Sequence, residues 1–169
     1  MTDRRAVLTY EGGNRFTART GTGRTIVFGD DAGANEHSPV EVVTAALAAC
    51  SAMDVVSILV KKRQVIESYT ITVAGVQRDE YPQVLTRIDL LHEVVGPDIT
   101  EAAVKRCIEL SATKYCPVNA MLSSGATEIH HGYRVRGTGA KPFEAEGEVV
   151  VTGPYRRPDV VAGTPASGS

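Results

Sequence analysis

"SPVEVVTAALAACSAMDVVSILVKKRQ", Ser38 to Gln64, decides the fold. Ser38-Pro39-Val40-Glu41 reads as a capping box with proline at the first helical position. Lys61, Lys62 and Arg63 suit the negative end of the helix dipole. Between these signals the helix is apolar on nearly every side, with Cys50 at its middle. A helix of this kind needs cover on all sides. A sheet supplies one flank, and a second copy of the chain is expected to supply the other. The apolar run is long enough to consider a membrane span, but Glu41 and Asp54 interrupt it. A core helix is therefore the expected reading.

Outward from this helix, the first third alternates as strands. Ala6–Glu11, Arg15–Thr20 and Arg24–Gly29 form a meander around the turns "GGN" and "GTG". After the helix, Ser68–Gln77 and Val84–Gly96 are two further strands. "PDITEAAVKRCIELS" is an amphipathic helix whose capping box is read as Asp98 with Glu101. "CPVNAMLSS" opens a third helical piece after a short break. "TEIHHGYRVRG" and "EGEVVVTG" are strands, and His130 and His131 must point to opposite faces. The order β-β-β-α-β-β-α-α-β-β predicts an α+β fold. Residues 1–153 read as one domain. Pro154–Ser169 is poor in residues to bury and reads as a disordered tail.

The chain has 169 residues and a net charge of −2, with no basic excess to suggest a nucleic-acid surface. Its N-terminus lacks the apolar run of a signal peptide, so the expected compartment is the cytoplasm, where the three cysteines are reduced. Neither the cysteine spacing nor the scattered histidines His37, His92, His130 and His131 match a zinc pattern, so neither a metal nor a cofactor is expected. Cys107 falls on the apolar face of its helix and reads as core. Cys50, by position alone, is either an inert small hydrophobe or a thiol activated by a cation from elsewhere in the fold. Apolar burial and nearby Asp54 would both raise its pKa. Cys116 precedes Pro117 and is expected at an N-cap, where free N–H groups favour a thiolate.

The helix start with "AALAAC", and "LSATKYCPVNAML" around Cys116, together resemble the OsmC/Ohr family of osmotically inducible and organic hydroperoxide resistance proteins. The resemblance covers roughly residues 5–150. It implies antiparallel sheets packed on a long buried central helix, in an intertwined homodimer. It also implies a peroxidase that reduces organic hydroperoxides to alcohols. Cys50 would attack the peroxide, Cys116 would resolve the sulfenic acid as a disulfide, and an external dithiol would restore both thiols. An apolar setting suits a thiol that must accept a greasy peroxide and exclude water. The resemblance supplies an activating pair, an acid at the helix start with an arginine. Here the acid is Glu41, one position later than in the family, with Val40 directly after Pro39. Arg15 is the best match to the arginine, with Arg19 and Arg24 as competitors. The pattern "AMDVVSIL" after Cys50 points to the OsmC-like branch. Two other readings are a non-catalytic dimer that binds an apolar or electrophilic small molecule, and a redox-sensing thiol protein. No nucleic-acid or membrane partner is expected.

Overall fold

The structure is a computed structural model and describes residues 4–31 and 35–153. The expected disordered tail lies outside the described residues. The chain forms two compact units that divide after Ala45.

The first unit holds a three-stranded antiparallel sheet in the order β1 (Ala6–Gly12), β2 (Arg15–Thr20) and β3 (Thr25–Phe28). Gly12 and Gly13 turn the chain between β1 and β2 with φ of 110° and 58°, a region that glycine enters without steric cost. The unit also carries the start of α1 (Pro39–Lys61), and the capping box is present. The Ser38 N–H donates to Glu41 Oε2 at 3.2 Å.

The second unit holds the rest of α1 and a four-stranded sheet. This sheet runs in the order β4 (Ser68–Gln77), β5 (Leu85–Gly96), β6 (Glu128–Gly137) and β7 (Phe143–Thr152). Its outer pairs are antiparallel, while β5 and β6 run parallel. A parallel pair needs a crossover, and α2 (Glu101–Leu110) and α3 (Pro117–Ser123) provide it. Strict alternation along β5 and β6 turns Ile88, Leu90, His92, Val94, Ile129, His131, Tyr133 and Val135 to the buried face. Val55 and Leu59 of α1, Val104, Cys107 and Ile108 of α2, and Val94, Tyr133 and Val135 of the sheet form one core cluster. Cys107 is therefore a packing residue, and burial pushes its thiol pKa up.

Two local expectations are corrected. The N-cap of α2 is Thr100, two residues beyond Asp98. Its hydroxyl accepts from the Ala103 N–H, and its own N–H donates to Gln64 Oε1. The break between α2 and α3 is a π-helical segment, Ser111–Tyr115. Within one chain α1 is not covered all round. Its buried side chains are Leu47, Ala48, Ser51, Val55 and Leu59, a single stripe at helical spacing, while Met53 is 74% and Val60 61% exposed. By length and composition alone α1 would cross a bilayer, a test that core helices also pass.

Candidate functional site

Cys116 sits where the sequence puts it, at the N-cap of α3 with Pro117 at the first helical position. Its sulfur accepts the Asn119 N–H at 3.3 Å. Proline lacks an N–H to offer, so the cap falls to the amide one turn in. Cys50 lies on the middle of α1, partly exposed. The fold brings the two thiols together across 66 positions of sequence, with their sulfurs within 4.8 Å of each other.

A carboxylate joins them. Asp54 follows Cys50 by four residues, one helical turn, and so shares its face. One ligand atom from each of Cys50, Asp54 and Cys116 lies within 4.8 Å of the others. The Ser111 hydroxyl donates to Asp54 Oδ2 at 3.1 Å. That spends the single Ser111 hydrogen, so the 3.3 Å contact between Ser51 and Ser111 is a donation from Ser51 to Ser111. Two buried hydroxyls thus form a chain that ends on Asp54. Ser111 is the first residue of the π-helical segment, which carries the chain from α2 to the cap at Cys116.

The expectation that the helix N-terminus holds Cys116 as a thiolate is corrected. Burial, followed by the neighbouring Cys50, pushes its pKa up to about 12, and the amides of Asn119 and Val118 offset this only in part. A short α3 supplies few N–H groups, whereas the sulfur is nearly sealed from water. Cys116 is a resident thiol that must lose its proton to react.

Behind Cys116 runs a second chain that the sequence did not reveal. Asn119 Nδ2 donates to Ala112 O and Thr152 Oγ1. Its Oδ1 therefore accepts from His131 Nε2 at 2.9 Å. Burial lowers the His131 pKa to about 4, so the ring is neutral and its Nδ1 is an acceptor. That acceptor takes the His92 Nε2 proton across 3.4 Å. Burial and His131 lower His92 to about 3, which leaves its Nδ1 to accept from the Tyr69 hydroxyl at 2.6 Å. The tautomers of His92 and His131 are thus fixed by their neighbours, and the row ends on the side chain of Asn119, whose backbone N–H caps Cys116. The histidines that looked scattered are paired because β5 and β6 stack His92 and His131, with ring centroids 5.7 Å apart.

Arg15 lies in the first unit. Its guanidinium donates to Glu36 Oε1 at 2.6 Å and to Glu11 Oε2 at 3.1 Å. The acids that hold Arg15 are therefore Glu36 and Glu11, while the carboxylate of Glu41 serves the start of α1. Arg19 pairs across β1 with Val7, and Arg24 lies in the turn before β3.

Two thiols and a carboxylate could also supply three donors to a soft divalent ion. A structural zinc site takes four protein donors, and among the described residues this cluster offers three.

A family profile described as OsmC-like protein matches residues 30–131. The protein YhfA of Escherichia coli is 40% identical over 123 residues, which cover 73% of this chain and 91% of that protein. A crystal structure of a hypothetical protein from Aquifex aeolicus is 27% identical and superposes with a TM-score of 0.72, over 80% of this chain and 97% of the other. An organic hydroperoxide resistance protein from Elizabethkingia anophelis, at 15% identity, shares the fold with a TM-score of 0.61 over 82% of this chain and 98% of its own. The profile spans the cap of α1, both Cys50 and Cys116 and the buried histidine pair, and the chain belongs to the OsmC-like family.

Proposed function

We propose that the protein is a thiol-dependent peroxidase that reduces organic hydroperoxides through Cys50 and Cys116. One observation carries this reading: two thiols 66 positions apart in sequence lie within 4.8 Å of each other, while the third, Cys107, is sealed in the core. The name of the Elizabethkingia relative points to the same chemistry. The partly exposed Cys50 attacks the distal peroxide oxygen and releases an alcohol. Cys116 then condenses with the sulfenic acid to a disulfide and water, and an external dithiol reduces the pair. Arg15, positioned by Glu11 and Glu36, is the proposed cation for Cys50, and Glu41 supports the helix on which that thiol stands.

The working form is a homodimer in the cytoplasm. The exposed apolar side of α1, with Met53 and Val60, supports a second copy as its cover. A groove of about 770 Å³ lined by Ala120, Ser124, His130 and Thr152 opens elsewhere on the second unit, and neither Cys50 nor Cys116 lines it.

Cumene hydroperoxide should consume two thiols per chain and yield one alcohol. Peptide mapping should then find Cys50 linked to Cys116 with Cys107 free. Unchanged thiol content would sink the peroxidase reading and favour a non-catalytic binding dimer. A disulfide that includes Cys107 would overturn the roles. Arg15→Ala should slow alkylation of Cys50 about tenfold, and an unchanged rate would reject Arg15. Analytical ultracentrifugation should give twice the 18.0 kDa chain mass, against which a monomer at micromolar concentration would count.

A further inference from the structure

The second half of the cycle poses a proton problem. Cys116 must attack the sulfenic sulfur of Cys50, yet its thiol is buried, lies beside Cys50 and Asp54, and accepts rather than donates at the Asn119 amide. Burial holds it almost wholly protonated at neutral pH. A thiolate is the nucleophile in such exchanges, so the proton needs an acceptor inside the site.

The cluster contains one carboxylate, that of Asp54. Its oxygen lies within 4.8 Å of both sulfurs, a gap that a small swing of the side chain or one water spans, and resting enzymes often show such distances before the substrate is bound. The carboxylate is oriented. Ser111 donates to Oδ2, and Ser51 in turn donates to Ser111, both buried. These two hydroxyls fix the orientation of the carboxylate beside the thiols. Because Ser111 also opens the π-helical segment that leads to Cys116, one hydrogen bond ties the carboxylate to the segment that carries the resolving thiol. Short π segments recur at functional sites.

We propose that Asp54 is the proton carrier for the condensation of Cys116 with the sulfenic acid of Cys50, an inference that rests on the thiol-peroxidase reading above. The step balances as follows. The Cys116 sulfur attacks the Cys50 sulfur, the S–S bond forms and the S–O bond breaks. The Cys116 proton passes to Asp54 as the sulfur loses electron density, and Asp54 delivers it to the departing hydroxide as water. Cys116 is oxidised, the sulfenic sulfur is reduced, and the carboxylate is restored. Transfer from the intact thiol alone would be uphill. Concerted with S–S formation it is not, because the thiol proton becomes acidic as the bond develops.

Single-turnover kinetics with cumene hydroperoxide test this in the full-length chain, with dimedone capture reporting Cys50 sulfenic acid and mass spectrometry reporting disulfide. In Asp54→Asn, which keeps an oxygen for Ser111, condensation should slow about a hundredfold, within the usual reach of general acid–base catalysis. Sulfenic acid should accumulate and be captured. Asp54→Glu should recover part of the rate, and formate should accelerate condensation in Asp54→Ala, an effect that a merely structural role would not produce. Disulfide closure at the wild-type rate in Asp54→Asn, or no rescue by formate, overturns the proposal and leaves the peroxidase reading standing. If the wild-type protein forms neither sulfenic acid nor disulfide, the peroxidase reading itself fails, and the role of Asp54 fails with it.

Discussion

The two faces of the four-stranded sheet treat the same side chain in opposite ways. His130 and His131 are consecutive on β6. His131 points inward, is fully buried, and has its pKa lowered to about 4. His130 points outward between Glu128 and Glu148, and these carboxylates raise its pKa. The same contrast runs along both central strands. Inside, Tyr69, His92, His131 and Asn119 form a row of neutral groups in which each donor has one acceptor. Outside, Arg87 pairs with Asp89, and Arg134 bridges Glu93 on β5 and Glu146 on β7. Strand parity decides the face, and the face decides whether polarity is held by shared protons or by opposed charges. Among the described residues no buried side-chain nitrogen or oxygen lacks a partner, so the inner row is complete.

A complete row is costly to interrupt. His131→Ala strands the His92 Nε2 proton in the interior and leaves Asn119 Oδ1 only the 3.4 Å contact with the Thr152 hydroxyl, at about 1–3 kcal/mol for an unpaired group, besides the cavity. We expect a loss of about 2–5 kcal/mol in urea unfolding. His130→Ala, beside it, should cost less than about 1 kcal/mol, since its partners are surface carboxylates. Equal losses at the two positions would break the contrast. His131→Ala should also loosen the cap on Cys116, so the Cys50–Cys116 disulfide should close more slowly even in protein that remains folded.

Acid should separate the faces next. His92 and His131 have folded-state pKa values below the ordinary 6.5, so the unfolded chain binds more protons as pH falls. Their contribution to stability is fully present above pH 6.5 and is lost as pH falls toward about 4 and then about 3. His130 has the opposite sign, because its raised value adds stability below 6.5 that is lost as pH rises through the folded pKa. The inner pair is two buried groups and the outer one is a single surface group, so the net melting temperature should fall steadily between pH 6.5 and 4. A flat profile across that window would show that the inner histidines do not stay neutral. In His131→Asn the slope should be shallower, since one titrating group is gone.

How much of this was legible in the sequence differs between the same regions. Alternation alone delimited β2 and β4 to the residue, and Ser38-Pro39 with Glu41 marked the start of α1. Those signals are local. The pairing of Cys50 with Cys116 came from motifs carried by a family resemblance, not from spacing. The inner histidine row was hidden because His92 and His131 meet only through the parallel register of β5 on β6, set by a crossover of about thirty residues whose geometry no local pattern encodes. Alternation did foretell that His130 and His131 face opposite ways, but not what each would meet. Asp54 was read only as a like charge beside a thiol, since its serine partners lie on the same helix and on a π segment 57 positions away. The true acids of Arg15 were missed for a related reason. Glu36 sits in a polar loop that carries no periodic signal, and Glu41, on the helix, drew the assignment. Asp98 was preferred to Thr100 as N-cap because Glu101, three residues on, completes a capping-box pattern, whereas the contact of Thr100 with Gln64 is tertiary.

The smallest expected effect sharpens the comparison most, because it asks whether the outer face is truly an outer face. Arg134 makes two ion pairs, to Glu93 at 2.7 Å and Glu146 at 3.2 Å, and its side chain is 55% exposed. On a solvated surface such pairs contribute about 0–1 kcal/mol, because water already screens the charges and long side chains lose entropy to meet. Arg134→Ala should therefore leave the urea midpoint nearly unchanged, and 0.5 M salt should shrink even that small difference, since the screening length then falls well below 10 Å. Urea midpoints at low and high salt measure both. A large fall in the urea midpoint that salt leaves untouched would mean that Arg134, Glu93 and Glu146 work in a medium drier than this chain alone provides. The outer face of the sheet, and not only the apolar side of α1, would then be buried in the assembled protein, and the contrast between the faces would belong to the chain rather than to the dimer.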